Sequence, residues 1–278
     1  MDSLVTTEWL AAQLGAPDLK LIDATAFLPE HGRDAAAEYA AAHIPGAVFL
    51  DHPSISDPAN PLPSMLAGAD AFAARMGALG IGPGDRVVIY DDSPIRTAAR
   101  AWWAMRTMGL RSLAILDGGL AKWKAEGRPI EAGVVTPAPA HFTANPDLSR
   151  VRDRAAITAN LDSRAEQLVD ARGPARFAGD TPEARPGLAA GHIPGSLNLP
   201  YARLFEADGT MKRGDALAGE FAAAGIDLDR PIATTCGSGV TAAVLVFGLH
   251  LLGRDAALYD GSWTDWGSDP ATPKATGA

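Results

Sequence analysis

A single cysteine in 278 residues rules out an intramolecular disulfide. Cations are scarce as well: 24 Lys and Arg face 33 Asp and Glu, for a formal net charge of −9. That balance argues against nucleic acid as a bulk electrostatic partner. It leaves room for a small anionic substrate, which needs only a few local arginines. No apolar run reaches membrane-spanning length, since VTAAVLVFGLHLLG is short and carries His250. The N-terminal MDSLVTTEWLAAQL has no basic region ahead of a long apolar run, so it does not read as a signal peptide. One cysteine and six scattered histidines show no metal-ligand spacing. Neither a GxGxxG nor a Walker loop occurs. The sequence thus predicts no metal, no cofactor, no membrane partner and no nucleic-acid partner, with a reducing cytoplasm as the simplest location.

What is present is an internal duplication. LIDATAFLPEHG at Leu21 matches LVDARGPARFAG at Leu168, and the HIPG at His43 matches the HIPG at His192. RVVIYDDS around Val88 matches PIATTCGS around Ala233, and ILDGGLAKW around Asp117 matches LYDGSWTDW around Asp260. The partners stand 143 to 149 residues apart, in one order. Two copies at so long a period make a tandem pair of domains and not a solenoid. We place the first copy at 1–132 and the second at 151–278. The Pro- and Ala-rich stretch Gly133–Pro146 lies within a linker over 133–150. Hydrophobic residues make up 47% of the chain, enough for two sizeable cores, and a duplicated chain is expected to be a monomer.

Each copy reads as α/β, a mostly parallel central sheet flanked by helices, because short β-branched runs alternate with helical patterns. In the first copy the strands are predicted at 20–24, 48–50, 86–90 and 112–116. In the second they are predicted at 167–170, 196–198, 232–235 and 256–259. The HIPG histidines recur in both copies, which points to architecture. Asp23, Asp170, Asp117 and Asp260 recur at strand ends, where carboxylates fix turns and cap helices.

The copies differ where chemistry would sit. Cys236 ends a β-branched strand and precedes Gly237, Ser238, Gly239, Val240 and Thr241, after which a helical apolar run begins. Small residues at a strand–helix turn let backbone N–H groups converge on an anion, and the same setting favours thiolate over thiol. A cysteine serving only as a small core hydrophobe fits two glycines and two hydroxyls poorly. Its counterpart in the first copy is Asp91 or Asp92, so that copy has no nucleophile.

These segments, with AARAWWAMRTMG, LDGG, RFAGDTPEARPGLAAGHIPG and CGSGVTA, resemble the tandem rhodanese-domain sulfurtransferases over nearly the whole chain. The Gly237–Ser238 pair is similar to the mercaptopyruvate branch. The thiosulfate branch carries basic residues there, in a CRKGVT loop. The resemblance implies Cys236 as a nucleophile that attacks the sulfur of 3-mercaptopyruvate. Pyruvate leaves, and a persulfide passes to a thiol, thioredoxin for instance, or to cyanide. It also implies that Arg176 and Arg185 bind the substrate carboxylate, that the amides of Gly237, Gly239, Val240 and Thr241 cradle the persulfide, and that Ser238 has a catalytic part. The family pairs that serine with an aspartate and a histidine from segments like FFDID and LPHMLP. This chain reads FLDHP and LPSMLAG, with Pro53 and Ser64 at those places, so the relay is incomplete. His52 stands one residue from the missing aspartate. The alternatives are thiosulfate:cyanide transfer and a non-enzymatic persulfide carrier. A rhodanese-like phosphatase would need a longer loop ending near an arginine, and here none follows Cys236 until Arg254.

Overall fold

The computed structural model describes residues 1–183 and 185–277. The chain forms two compact units. Unit 1 comprises 1–58, 66–147 and 207–211; unit 2 comprises 59–65, 148–206 and 212–278.

Unit 1 holds strands β1 (Leu4–Val5), β2 (Leu19–Asp23), β3 (Val48–Phe49), β4 (Arg86–Tyr90) and β5 (Leu113–Leu116). Its helices are α1 (Thr7–Gln13), α2 (Ala35–Ala41), α3 (Ala69–Ala78), α4 (Thr97–Thr107) and α5 (Gly119–Ala125). Unit 2 holds β6 (Val151–Arg152), β7 (Gln167–Asp170), β8 (Leu197–Asn198), β9 (Ile232–Thr235) and β10 (Ala257–Tyr259). Its helices are α6 (Arg154–Ser163), α7 (Pro174–Ala178), α8 (Gly214–Ala223), α9 (Ala242–Leu251) and α10 (Ser262–Trp266). The sheet orders β1-β5-β4-β2-β3 and β6-β10-β9-β7-β8 are the same path drawn twice, and every strand pair is parallel.

The sequence explains this layout. Strand β4, RVVIY, is buried from Val87 to Tyr90, as a parallel strand covered on both faces must be. Helix α9 is buried from Ala242 to Leu249, so its apolar residues run all round instead of forming a stripe. Each such Val, Leu or Phe contributes roughly 1.5–3 kcal/mol when fully buried. Each unit caps its first helix alike: Thr6 Oγ1 accepts from the Trp9 N–H (3.1 Å), and Asp153 Oδ1 accepts from the Ala156 N–H (2.8 Å). The edge strands β1 and β6 escape sequence reading because two residues carry no period; they exist by pairing with β5 and β10. Among the described residues no helix is long and apolar enough to cross a membrane.

The Pro- and Ala-rich stretch lies bonded along unit 1. The Gly133, Ala140 and Asn145 N–H groups donate to the Ala40, Gly77 and Met108 carbonyls at 2.8, 2.9 and 3.0 Å. Gly77 must be glycine for this, since a Cβ there would stand 2.6 Å from Ala140 O. Asp117 does more than fix its own turn. Its Oδ1 accepts from the Met211 N–H (2.8 Å), tying residues 207–211 to unit 1.

The HIPG histidines are architectural in both units. His43 is fully buried, stacks on Tyr39 with ring centroids 4.2 Å apart, and lies 2.8 Å from Tyr39 O through Nδ1. His192 stacks on Phe177 at 3.8 Å, with Nδ1 2.8 Å from Phe177 O.

The registers Asp23↔Tyr90 and Asp170↔Thr235 put Asp91 at the place of Cys236, with five residues before the next helix in each unit. Asp91 Oδ2 accepts from the Ala98 N–H (2.5 Å) at the start of α4, and Oδ1 accepts from the Ser93 N–H (3.3 Å). In unit 1 a carboxylate therefore fills the turn. Burial raises the Asp91 pKa to about 6 from 3.8. Below about pH 4 both folded and unfolded chains hold that proton; between 4 and 6 only the folded chain does. The Asp91 contribution to stability therefore falls as pH rises through this window, by about 3 kcal/mol. Asp91→Asn is expected to gain stability relative to the parent by about that amount between pH 4 and 7. Urea denaturation of both proteins at the two pH values checks it; a pH-independent difference contradicts it.

Candidate active site

Cys236 follows the carboxyl end of β9, the edge where parallel α/β sheets bind ligands. It is unbridged and 1% exposed. Its backbone is pinned on both sides. The Cys236 N–H donates to Ser262 Oγ (3.2 Å), and the Trp263 N–H donates to Cys236 O (2.9 Å). Beyond it, the Thr264 N–H donates to Gly237 O (2.8 Å), and Thr264 Oγ1 donates to the same carbonyl (2.7 Å). The loop backbone is thus held through carbonyls. Among the described residues the amides of Gly237, Ser238, Val240 and Thr241 make no hydrogen bond to the protein. Gly239 is buried with φ of +78°, a left-handed turn that favours glycine and lets the loop curl onto the N-terminus of α9. Unpaired amides and a helix N-terminus together form a site for negative charge. Ser238 lies half-buried in this loop, and its hydroxyl makes no hydrogen bond among the described residues.

Of the two arginines singled out from the sequence, Arg176 reaches Gly237 directly and Arg185 reaches it through Thr264. Arg176 Nη2 stands 3.2 Å from where a Cβ on Gly237 would be, so the guanidinium lies over the loop. Arg185 Nη1 donates to Thr264 Oγ1 (3.1 Å), the hydroxyl that itself donates to Gly237 O. Arg185 is exposed, and the Arg176 side chain is 41% exposed, so each keeps donors for a ligand. Two planar guanidinium forks next to a cysteine suit a small anion with paired oxygens.

A buried ion network holds Arg176 in place. Its Nη2 donates to Glu183 Oε2 (2.5 Å), and Glu183 is 2% exposed. Glu183 Oε1 accepts from Arg172 Nη1 (2.7 Å). Arg172, almost wholly buried, grips Asp170 through Nε and Nη2, donates to Gly191 O (2.8 Å) and lies over the Trp263 ring at 4.6 Å. Burial disfavours the Arg172 charge, but the two carboxylates outweigh it and raise its pKa above the usual guanidinium value. With every charge partnered, the cost of burying the set is offset by its hydrogen bonds.

Four of these supports were missed from the sequence. Glu183 sits inside RFAGDTPEAR, where the arginines drew attention first. Arg172 follows Asp170 in LVDARG, and only the fold shows its side chain doubling back. Thr264 gave no sequence signal. Ser262 had one: in the duplication LYDGSW faces ILDGGL, so a serine replaces the left-handed Gly119 of the first copy. Ser262 itself is left-handed, with φ of +51°. Its hydroxyl accepts from the Cys236 N–H and donates to Tyr259 O (2.7 Å).

His52 is committed within unit 1. Its Nε2 lies 2.9 Å from Ala24 O, and desolvation lowers its pKa to about 4, so it is neutral at physiological pH. The ring is only half-exposed, yet it is crowded enough for that shift. Pro53 lies in the 3-10 turn His52–Ile55 of unit 1. Ser64 has φ of +61° in the segment 59–65, which packs with unit 2.

Ser262→Ala is expected to cost about 2–3 kcal/mol, since it leaves the buried Cys236 N–H unpaired and keeps a Cβ in the left-handed region. Ser262→Gly loses the same hydrogen bonds but relieves the backbone, so it is expected to cost about 1 kcal/mol less. Urea denaturation of the two variants checks the order; equal losses contradict the backbone account.

A family model for the rhodanese-like domain matches residues 6–126 and again 153–269. The chain is 41% identical over 271 residues to human 3-mercaptopyruvate sulfurtransferase, covering 95% of this chain and 91% of that protein. It is 39% identical over 296 residues to the Arabidopsis thaliana mitochondrial thiosulfate/3-mercaptopyruvate sulfurtransferase 1, covering 98% and 78%. The crystal structure of SseA from Escherichia coli, a 3-mercaptopyruvate sulfotransferase, superposes with a TM-score of 0.86 at 37% identity, covering 95% of this chain and 99% of that one. With two matched domains over most of its length, the chain belongs to the rhodanese-like family.

Proposed function

We propose that this chain is an enzyme that moves sulfur from 3-mercaptopyruvate to a thiol or cyanide acceptor through a persulfide on Cys236. The observation that carries the reading is Arg176 over Gly237, one residue from the cysteine, with Arg185 bonded to Thr264, which in turn bonds Gly237 O. Arg176 and Arg185 grip the carboxylate and the neighbouring keto oxygen, which aims the substrate sulfur at the Cys236 thiolate. The thiolate attacks that sulfur and an S–S bond forms. The C–S bond breaks and its electron pair passes into the carbonyl system, giving the enolate of pyruvate. Solvent protonates the enolate carbon and pyruvate leaves. The amides of Gly237, Gly239, Val240 and Thr241 hold the persulfide anion, and Ser238 donates a hydrogen bond to the sulfur.

In the second half-reaction an acceptor thiolate attacks the outer sulfur, and the Cys236 thiolate is the leaving group. Cys236 is 1% exposed, which suits an acceptor with a projecting thiol, such as thioredoxin, reaching the outer sulfur atom. A free thiol in a chain with no disulfide fits a reducing cytoplasm, and the duplicated chain fits a monomer. Thiosulfate is the weaker donor in this reading. A compact dianion gains most from cations next to the cysteine, where this loop carries Gly237 and Ser238.

Steady-state pyruvate release from 3-mercaptopyruvate, run beside thiocyanate formation from thiosulfate and cyanide, is expected to favour the first by at least tenfold in kcat/KM. Cys236→Ser is expected to lose at least about 10³-fold in both assays with its folding transition unchanged; persistent turnover contradicts the nucleophile. Arg185→Ala is expected to raise KM for 3-mercaptopyruvate by about 10- to 100-fold, the worth of a charged hydrogen bond. Use of a neutral organic polysulfide is expected to be nearly unchanged. Equal losses for both donors would make Arg185 structural.

A further inference from the structure

A second cavity lies in unit 2, at the other end of the sheet from Cys236. Its volume is about 280 Å³. It opens beside Gln167, the first residue of β7, and Arg230, two residues ahead of β9. Cys236 follows the far end of β9, about 13 Å along a strand rising about 3.3 Å per residue. The floor is apolar, from Ile157, Leu161, Leu168 and Leu197. Two guanidinium groups line the wall. Arg164 Nη1 stands 3.4 Å from where a Cβ on Gly195, another lining residue, would be. Arg230 Nη2 donates to Arg164 O (3.1 Å).

Neither guanidinium holds a carboxylate. Most arginines of unit 2 do, as Arg152 with Glu166, Arg203 with Glu220 and Arg254 with Asp229 show. Among the described residues the Arg164 guanidinium makes no hydrogen bond or ion pair, and Arg230 spends one of its five donors. The single lining carboxylate, Glu166, is already bound on both oxygens by Arg152 Nε (2.8 Å) and Nη2 (2.9 Å). The polar walls are also fixed. Asn160 bonds the Glu166 backbone at both its N–H and its carbonyl, and Gln167 bonds the Asp227 backbone in the same way. Arg164 is the left-handed C-cap of α6, at φ of +48°, and its N–H donates to Asn160 O (3.0 Å).

We infer that this cavity binds a small anion with an apolar body: the charge on Arg164 and Arg230, the body on the leucine and isoleucine floor. The volume admits a molecule of phenyl phosphate size. The inference does not rest on the sulfur chemistry proposed above, because no residue is shared between the two sites.

The test is calorimetric titration of the full chain with phenyl phosphate, with inorganic phosphate as the second probe. Saturable binding of phenyl phosphate at one site per chain is expected, at least tenfold tighter than phosphate. The double variant R164Q/R230Q is expected to weaken it at least tenfold, with sulfur transfer and the folding transition unchanged. R176A/R185A is expected to leave it intact. Binding that survives R164Q/R230Q, that disappears in R176A/R185A, or that is equally tight for inorganic phosphate overturns the inference; so does an absence of saturable binding.

Discussion

The structure depends on a strand–helix turn whose N–H groups lack backbone partners and favour negative charge beside them. A parallel strand running straight into a buried helix leaves the first N–H groups of that helix without backbone partners. The turn occurs twice. In unit 1 the Asp91 carboxylate accepts from Ala98 and Ser93 and closes the turn. In unit 2 the equivalent residue is Cys236, whose side chain has no fixed charge, and the amides of Gly237, Ser238, Val240 and Thr241 make no hydrogen bond within the described protein. One copy thus fills its anion site with its own carboxylate, and the other holds it open for a sulfur anion.

Around that open turn the fold arranges support from two sides. Ser262 and Trp263 hold the backbone of Cys236, and Thr264 holds Gly237. Asp170, Arg172 and Glu183 form a buried charge chain whose last carboxylate fixes Arg176. Breaking such a chain at one member leaves a buried unpaired charge, worth several kcal/mol. Rigid placement is useful chemically because a small keto acid offers few atoms to hold, and attack at sulfur needs them aligned.

Much of this was legible in the sequence. The duplication, the α/β class, and the strand ends at Tyr90 and Thr235 follow from β-branched runs and matched segments. Cys236, Arg176 and Arg185 stand out by residue type and motif; the fold sets Arg176 over Gly237 and bonds Arg185 to Thr264, whose hydroxyl holds Gly237 O. What sequence could not carry was side-chain direction. Arg172 turns back under the site, Glu183 bridges two arginines, and Asp117 reaches Met211, 94 positions away. His52 looked available by position alone; its ring bonds Ala24 O, and desolvation keeps it neutral. Two-residue strands such as β1 and β6 depend wholly on their partners and have no local signature.

The central claim is that Cys236 takes the sulfur in a single attack that releases pyruvate. The most direct measurement is one anaerobic turnover without acceptor: protein mixed with excess 3-mercaptopyruvate, pyruvate quantified, and intact and peptide masses read. The account predicts one pyruvate per chain and one added sulfur atom, on the peptide that carries Cys236. Pyruvate without an added sulfur, an added sulfur without pyruvate, or a sulfur placed on any other peptide would contradict it.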